Sequence, residues 1–432
     1  MEQKCWIISV NMGYGHQRTA FPLRHLAFGE KVINANDYEG ISKKDREIWE
    51  SIRKGYEFVS NFKRIPLIGP IAFSLTDRFQ KILTFYPKRD LSKPNSQLKQ
   101  TIATIKSGWG RHLIGILKEK PLPLISSFFT PAYMAEYFDY PGEIFCIVCD
   151  ADISRTWAPL SPKESKIKYF TPTERAAERL KLYGVKEENI FFTGFPLPLE
   201  NIGTENLEIL KEDLKYRLLN LDPQKKYFEK YKLLIEEKLG KLPEKPDHPL
   251  TILFSVGGAG AQKEMGIKIV KNLKEKIQKN EIKMILSAGI RKEVKEYFLK
   301  NLKKLGLDGG QSSGNWGVEI LFGENIEDYF QKFNLALRKT DILWTKPSEL
   351  SFYSALGIPV IIAPTIGSQE EFNMRWLLKS GFGMNQENPN YANQWFFDWI
   401  AQGYLAEAAF QGFIEGEKLG TLKIEKIIKS LI

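Results

Sequence analysis

Several turns in this sequence place glycine beside side chains that can move protons or hold anions. The first is Asn11-Met12-Gly13-Tyr14-Gly15-His16, which follows the apolar run at residues 5–10 and enters Gln17-Arg18-Thr19-Ala20 at the start of a predicted helix. Glycines let a backbone approach a ligand closely, and unpaired amides at a helix N-terminus attract anions. Gly13-x-Gly15 lacks the third glycine of a dinucleotide fingerprint and specifies little alone. A tight strand-to-helix turn accounts for both glycines but not for His16. An imidazole with an unperturbed pKa of about 6.5, at the mouth of a sheet, suits a general base.

The second turn, Gly257-Gly258-Ala259-Gly260, follows the apolar run 251–256 and precedes a helix from about Gln262. Its amides can wrap a diphosphate, and the absence of Gly-Lys-Ser/Thr excludes a Walker A loop. Further on, the run 342–345 leads into Lys346-Pro347-Ser348-Glu349, where Ser348 has the type of an N-cap and a phosphate fits the positive end of the following helix. The loop 364–373 carries Gly367, Gln369, Glu370 and Asn373, polar groups suited to sugar hydroxyls. Capping and solvation explain each turn singly. Three polar turns at predicted carboxyl ends of strands in one domain point to a binding face.

Two patterns mimic chemistry. Cys146-x-x-Cys149 falls inside a predicted strand, 144–149, where positions three apart point to opposite faces, so both are expected as core cysteines. Asp150-Ala151-Asp152 resembles a cation site, yet two carboxylates without neighbouring His or Glu are a weak signal, and no metal is expected. At a strand end Asp150 is instead a base or a loop anchor.

Strands alternating with helices must position these turns. Short apolar runs at 5–10, 31–34, 124–128, 144–149, 168–170 and 190–193 alternate with helical patterns, and a second series follows at 251–256, 283–287, 318–321, 342–345 and 359–363. That alternation predicts an α/β protein with two parallel-sheet, Rossmann-like domains. The expected organisation is a first domain at 1–205, a charged helical linker at 206–250, a second domain at 251–395 and a C-terminal helical segment at 396–432. A chain of 432 residues that is 43% hydrophobic and 26% charged can bury two such cores, and three cysteines are too few for a disulfide framework. A cytoplasmic protein is expected, since no secretory signal is visible. The net charge of +10 favours anionic partners. Nucleic acid is disfavoured, because zinc-ligand spacing and aromatic RNP patterns are missing.

One insertion breaks the alternation. Residues 56–89 interleave Phe, Ile and Leu with Lys63, Arg64, Arg78, Lys81, Lys88 and Arg89, against only Glu57 and Asp77. The pattern reads as an element lying in an anionic membrane interface or as a helical insertion packed on the domain. No apolar run reaches the ~20 residues that a spanning helix needs, so membrane contact would be peripheral.

The ordered set of turns resembles the two-domain GT-B glycosyltransferases that include monogalactosyldiacylglycerol synthase, processive diacylglycerol glucosyltransferases and the peptidoglycan N-acetylglucosaminyltransferase. Met12-Gly13-Tyr14-Gly15-His16 with Ala20 is similar to that family's turn ending in His. Cys149-Asp150 through Arg155-Thr156-Trp157 is similar to its loop leading to Trp, and Tyr183-Gly184-Val185 through Thr193-Gly194-Phe195-Pro196 to its Gly-Val and Thr-Gly-x-Pro elements. Gly257-Gly258-Ala259-Gly260 resembles its diphosphate loop. Lys346-Pro347 through Gly357-Ile358-Pro359, with Gly367-Ser368-Gln369-Glu370 and Asn373, resembles its donor-sugar region. Ser348-Glu349 stands where the family has Gly-Gly, and Tyr353-Ser354 where it has Ser-Glu.

The resemblance implies two Rossmann-like domains facing a central cleft, the last helical segment crossing back to the first domain, and inverting, metal-independent transfer of a hexosyl group. The donor is a nucleotide-diphosphate sugar, a UDP-sugar being one candidate, and no cofactor is implied. His16 is then the base and Asp150 the second candidate, with Gly13 and Gly15 on the acceptor side. Gly257, Gly258, Gly260 and Ser348 hold the diphosphate, while Glu349, Gly367, Gln369, Glu370 and Asn373 meet the sugar or nucleoside. The acceptor is lipid-like, at the cytoplasmic face of a membrane. A nucleotide-sugar epimerase or hydrolase, and a non-catalytic sugar-nucleotide-binding protein, remain alternatives on the same fold.

Overall fold

The computed structural model describes residues 4–62, 82–255, 257, 260, 262–307, 317–365 and 367–431. Residues 63–81 of the basic-aromatic insertion, and Val256, Gly258 and Ala259 of the glycine turn, lie outside the described residues. The chain divides into two compact units: Met1–Leu197 with Ile366–Asn373 and Leu419–Ile432, and Pro198–Thr365 with Met374–Lys418.

The first unit is built on β1 (Trp6–Ser9), β2 (Ile33–Asn34), β3 (Leu124–Ser126), β4 (Ile144–Ile147), β5 (Lys168–Thr171) and β6 (Ile190–Phe192). They pair in parallel in the order β2-β1-β3-β4-β5-β6. Short runs buried on both faces, such as Ile144-Phe145-Cys146-Ile147, are what a helix-covered parallel sheet requires. One face packs Cys5, Ile7, Ile125, Phe145, Ile147 and Phe170 against Leu23, Leu26, Ile424 and Ile428. Ile424 and Ile428 lie four apart on helix Gly420–Leu431, so the last helix gives its apolar stripe to the first sheet. Thr421 Oγ1 fastens it by donating to the Leu197 carbonyl at 2.5 Å.

The second unit carries β7 (Leu250–Ser255), β8 (Ile282–Gly289), β9 (Val318–Phe322), β10 (Ile342–Thr345), β11 (Val360–Ile362) and β12 (Gly383–Asn385), all parallel, in the order β12-β11-β10-β7-β8-β9. Both units are therefore Rossmann-like, as the alternation predicts. β12 was not legible as a strand, being a three-residue edge element that contains glycine.

The charged stretch read as a linker folds as helices Glu208–Leu221 and Lys226–Leu239 of the second unit. Leu210, Leu214, Leu218 and Leu221 are buried at helical spacing beneath its charges. Arg217 lies buried with them and donates to the carbonyls of Thr340, Leu356 and Leu337 at 2.8, 2.9 and 3.3 Å, tying the helix to the sheet.

The strand orders fix where ligands can enter. In the first sheet the chain leaves β1 for β2 on one side and returns to β3 on the other; in the second it leaves β7 for β8 and β9 and returns to β10. Crossovers on opposite faces open a crevice outside the carboxyl ends of the two strands at the switch, β1/β3 and β7/β10.

Candidate active site

At the β1/β3 switch, Gly13 has φ 114, which a residue with a Cβ rarely adopts, and it turns the chain from β1 into helix Tyr14–Ala20. His16 therefore sits in the first turn of that helix. Its Nδ1 lies 2.9 Å from the carbonyl oxygen of Ser127, just beyond β3. A carbonyl only accepts, so Nδ1 carries the proton and, in the neutral ring, the lone pair is on Nε2. Ser127 is itself fixed, its amide donating to Ile8 O at 2.9 Å and its hydroxyl to Ser9 Oγ at 3.2 Å. The imidazole packs on Phe128, with centroids 4.6 Å apart, and faces Trp157 at 6.3 Å. Trp157 follows the Asp150 loop in sequence, so two of the turns noted above meet around one ring.

Cys149 behaves differently from the other cysteines. β4 ends at Ile147, so Cys149 lies past the strand, buried but with Sγ 3.5 Å from His16 Nδ1. The carbonyl at 2.9 Å accepts the hydrogen bond from Nδ1–H, and the thiol donates weakly toward Asp150 Oδ2 at 4.0 Å. Cys5 and Cys146 remain core residues. Burial pushes both thiols up, Cys5 to about 12, which keeps them unreactive.

Asp150 is joined to a residue 223 positions away. Asn373 is fully buried; its Nδ2 donates to Asp150 Oδ1 at 3.1 Å and its Oδ1 accepts from the Ala151 amide at 2.8 Å. Both ends of the Asn373 amide are thus used on the Asp150 loop, in the first unit. Asp152 takes no part in a cation site: Arg179 Nε and Nη2 each donate to it at 2.8 Å, a buried bidentate pair. Arg155 Nε reaches Ser92 O at 2.8 Å and its Nη atoms reach the carbonyls of Ala158 and Pro159, which sets the path toward Trp157. Among the described residues, no group of three His, Cys, Asp or Glu is placed to hold a metal ion.

The β7/β10 switch carries Gly257, Gly260 and Lys346. Gly260 has φ +67, and so does Gln262 at the start of helix Lys263–Gln278. Gln262 Nε2 donates to Pro364 O at 2.8 Å, tying this turn to the loop after β11. A Cβ placed on Gly257 would lie 2.6 Å from Lys346 Cε, so the end of the lysine side chain passes close to this residue. Ser348 precedes a 3-10 helix, Glu349–Leu356, and makes no side-chain capping hydrogen bond. Its amide donates to Lys346 O at 2.9 Å, so the expected outward helix end is a tight turn instead. Glu349 is buried at the first position of that helix. In helix Ser368–Ser380, Glu370 folds back to accept the Gly367 amide at 3.3 Å, and Gln369 is half-buried beside it.

The structure thus gathers His16, Cys149, Asp150 and Asn373 into one group, and Gly257, Gly260 and Lys346 into another. Sequence reading passed over Cys149, Trp157 and Lys346 as site residues. The signal for Lys346 was its place immediately after a strand, opposite a glycine turn.

A family model described as a domain of unknown function, DUF6938, matches residues 241–375. No curated protein matches the chain. Among solved structures, the chain is similar to a putative UDP-N-acetylglucosamine 2-epimerase from Listeria monocytogenes, at 14% identity over 100% of this chain and 96% of that one, with a TM-score of 0.48. MnaA of S. aureus with UDP gives 12% identity over 100% and 97%, with a TM-score of 0.47. MurG of Acinetobacter baumannii gives 12% identity over 99% of each chain, with a TM-score of 0.45. Strand order, and not these alignments, defines the fold.

Proposed function

We propose that the chain transfers a hexosyl group from a nucleotide-diphosphate sugar to a hydroxyl of a lipid-like acceptor, with His16 as the base. The observation that carries this reading is the Ser127 carbonyl on His16 Nδ1 at the β1/β3 switch, which directs the lone pair of the neutral ring to Nε2. In the step proposed, Nε2 takes the proton of the acceptor hydroxyl as its oxygen bonds to the anomeric carbon from the face opposite the leaving group. The bond from that carbon to the diphosphate oxygen breaks, and the nucleoside diphosphate leaves with the electron pair. Ser127 O then faces an imidazolium, whose charge the Nδ1–H···O contact stabilises. Asp150, held by Asn373, is the alternative base. Amides of Gly257, Gly258 and Gly260 are proposed to receive the diphosphate, with Ser348 beside them, and Gln369 and Glu370 to meet the sugar. Glu349, Gly367 and Asn373 are proposed for the rest of the nucleoside and sugar contacts, and Gly13 and Gly15 for the acceptor side.

The lipid-like acceptor and peripheral attachment to an anionic, cytoplasmic membrane face are proposed on the basic-aromatic sequence of residues 56–89. Among the described residues, no helix is long and apolar enough to cross a membrane.

A second reading, a sugar-nucleotide-binding protein without turnover, is favoured by Tyr353 and Ser354. They stand where the resembling family carries Ser-Glu, and both are buried, with Ser354 Oγ donating to Ser351 O at 2.7 Å. Incubation with a panel of nucleotide sugars, headed by UDP-sugars, separates the readings. Glycoside appearing only when a diacylglycerol acceptor is present supports transfer. Sugar released or isomerised without acceptor supports a hydrolase or epimerase, and binding with no product supports the second reading.

A further inference from the structure

We propose that residues 82–95, by which the basic-aromatic insertion returns to the first unit, position the loop 150–157 for reaction, with Phe85 as a positioning residue that acts through Arg179 and Asp152; the bearing on catalysis rests on the nucleotide-sugar reading above. Pro87 and Pro94 keep this segment out of helix and sheet. Backbone without regular structure must be satisfied by other contacts. Here those contacts fall on the loop that carries Asp150 and on the helix behind it, Glu174–Leu182.

The fastenings follow one another along the segment. The Phe85 ring centre lies 3.8 Å from Arg175 Cζ and 5.0 Å from Arg179 Cζ, two cations four residues apart on that helix. Leu91 N donates to Leu182 O at 2.9 Å, and Ser92 O accepts from Arg155 Nε at 2.8 Å. Asn95 Nδ2 donates to Thr156 Oγ1 at 3.0 Å, while Asn95 Oδ1 accepts from Leu98 N and caps helix Ser96–Lys106. Arg155 and Thr156 immediately precede Trp157, the indole that faces the His16 ring. The later half of the loop is thus held directly by the segment.

Its earlier half is held through Phe85. Arg179 is 1% exposed and gives Nε and Nη2 to Asp152 at 2.8 Å each. Among the described residues, its Nη1 is buried without a hydrogen-bond partner. The rings of Phe85 and Tyr183, 5.0 and 5.9 Å from Cζ, supplement a carboxylate that takes only Nε and Nη2. Asp152 lies two residues past Asp150, and Thr173 Oγ1 fixes the residue between them by donating to Ala151 O at 2.8 Å. Loss of the Phe85 ring should loosen the guanidinium, the carboxylate it holds and the loop that carries Asp150.

Cys149 reports on that loop without any substrate. It is buried beside Asp150, whereas burial keeps the core thiols Cys5 and Cys146 unreactive. The test is the rate of iodoacetamide alkylation at Cys149, located by peptide mass, in full-length wild type, Phe85→Leu, Phe85→Tyr, Asp152→Asn, Phe85→Leu/Asp152→Asn and Lys93→Ala, each with its thermal transition recorded. Phe85→Leu keeps an apolar side chain but loses the ring. It should speed alkylation about 2- to 30-fold, the factor that one cation–π contact supplies to a local opening. Phe85→Tyr should restore the wild-type rate, and Lys93→Ala, at an exposed position of the same segment, should leave it unchanged. In the Asp152→Asn background Phe85→Leu should add less than it does alone, the non-additivity expected of one connected group. Equal rates in wild type and Phe85→Leu, a Phe85→Tyr rate as fast as that of Phe85→Leu, or additive effects with Asp152→Asn overturns the proposal. Should Phe85→Leu fail to fold, Arg175→Gln removes the nearer cation and is expected to act in the same direction, an unchanged rate again overturning the proposal. Transfer from UDP-sugars to diacylglycerol, followed on the same preparations, should fall in Phe85→Leu through kcat with the donor KM held. Unchanged kcat, or a loss through KM alone, overturns the positioning role. Wild type that turns over no nucleotide sugar overturns the nucleotide-sugar reading, while the alkylation rates still decide whether Phe85 holds the loop.

Discussion

The two sheets share one topological device and bring different side chains to it. At β1/β3, the residue brought to the crevice is an imidazole whose proton is fixed by a backbone carbonyl at 2.9 Å; at β7/β10 it is an ammonium laid over a glycine. The placement of other charges differs in the same sense. In the first unit the carboxylates at the carboxyl edge are held from within, Asp152 paired with Arg179 and Asp150 accepting from the Asn373 amide. The second unit buries Asp341 at the opposite, amino edge of β10, where it accepts from the Thr251 amide at 2.8 Å and faces His248 at 3.2 Å. Its carboxyl edge is where Lys346 and Arg291 approach the glycine turn.

The largest expected effect breaks the comparison most directly. His16→Ala should lower sugar transfer about 100- to 10,000-fold, the span general base catalysis supplies, while the dissociation constant for the nucleotide changes little. Initial rates and calorimetry on one preparation give both numbers. If His16→Ala instead weakens nucleotide binding as much as it lowers transfer, the two edges do not divide the work and the contrast between them fails.

Where the sequence was legible, the chemistry was local. β1, the turn with φ 114 at Gly13 and His16 follow one another within a dozen residues, so spacing alone placed an imidazole at a strand end. Asn373 meets Asp150 across 223 residues, and nothing in the 364–373 loop distinguishes an amide that meets a sugar from one that clamps another loop. Lys346 comes beside Gly257 only because β10 pairs with β7, a pairing set by crossover order and not by any local pattern. Ser348 has the type of a cap, yet the chain tightens into a 3-10 turn there. In the predicted linker, leucines four apart were masked by the charges between them, although helical periodicity carried the signal.

A smaller effect sharpens the claim that Asp152 is neutralised from within the first unit. Asp152→Asn leaves shape unchanged but strips the carboxylate from Arg179, which is 1% exposed. Removing one partner of a buried pair typically costs about 3–5 kcal/mol, because the remaining charge has no compensation. Urea denaturation followed by circular dichroism should show that loss, together with lowered transfer, since Asp152 lies two residues past Asp150 in the same loop. A loss below about 1 kcal/mol would mean that neighbouring groups carry the Arg179 charge and that the pair is incidental to the edge.

The smallest effect is a pH dependence confined to the second unit's amino edge. Burial pulls the His248 imidazole down, but hydrogen bonds and charge from Asp341 and Asp247 outweigh it and hold the pKa above its ordinary value. A raised folded-state pKa means the native state binds the proton more tightly. The stabilisation is fully present below about pH 6.5 and is lost as pH rises through the folded value. Burial holds Asp341 up as well, and its loss of a proton also costs stability as pH rises. Asp247 runs the other way: burial opposes, yet Lys339 and His248 hold it low, so its contribution fails only in acid, below the range of interest. His248→Gln should therefore lower the melting temperature by about 2–4 °C at pH 6, equivalent to about 1 kcal/mol for a unit of this size, and by less at pH 9. A deficit that is equal at both pH values, or larger at pH 9, would show that the imidazole is held by packing and not by its carboxylates. The buried charge of the second unit would then no longer stand apart from its carboxyl edge as a separate, proton-linked cluster.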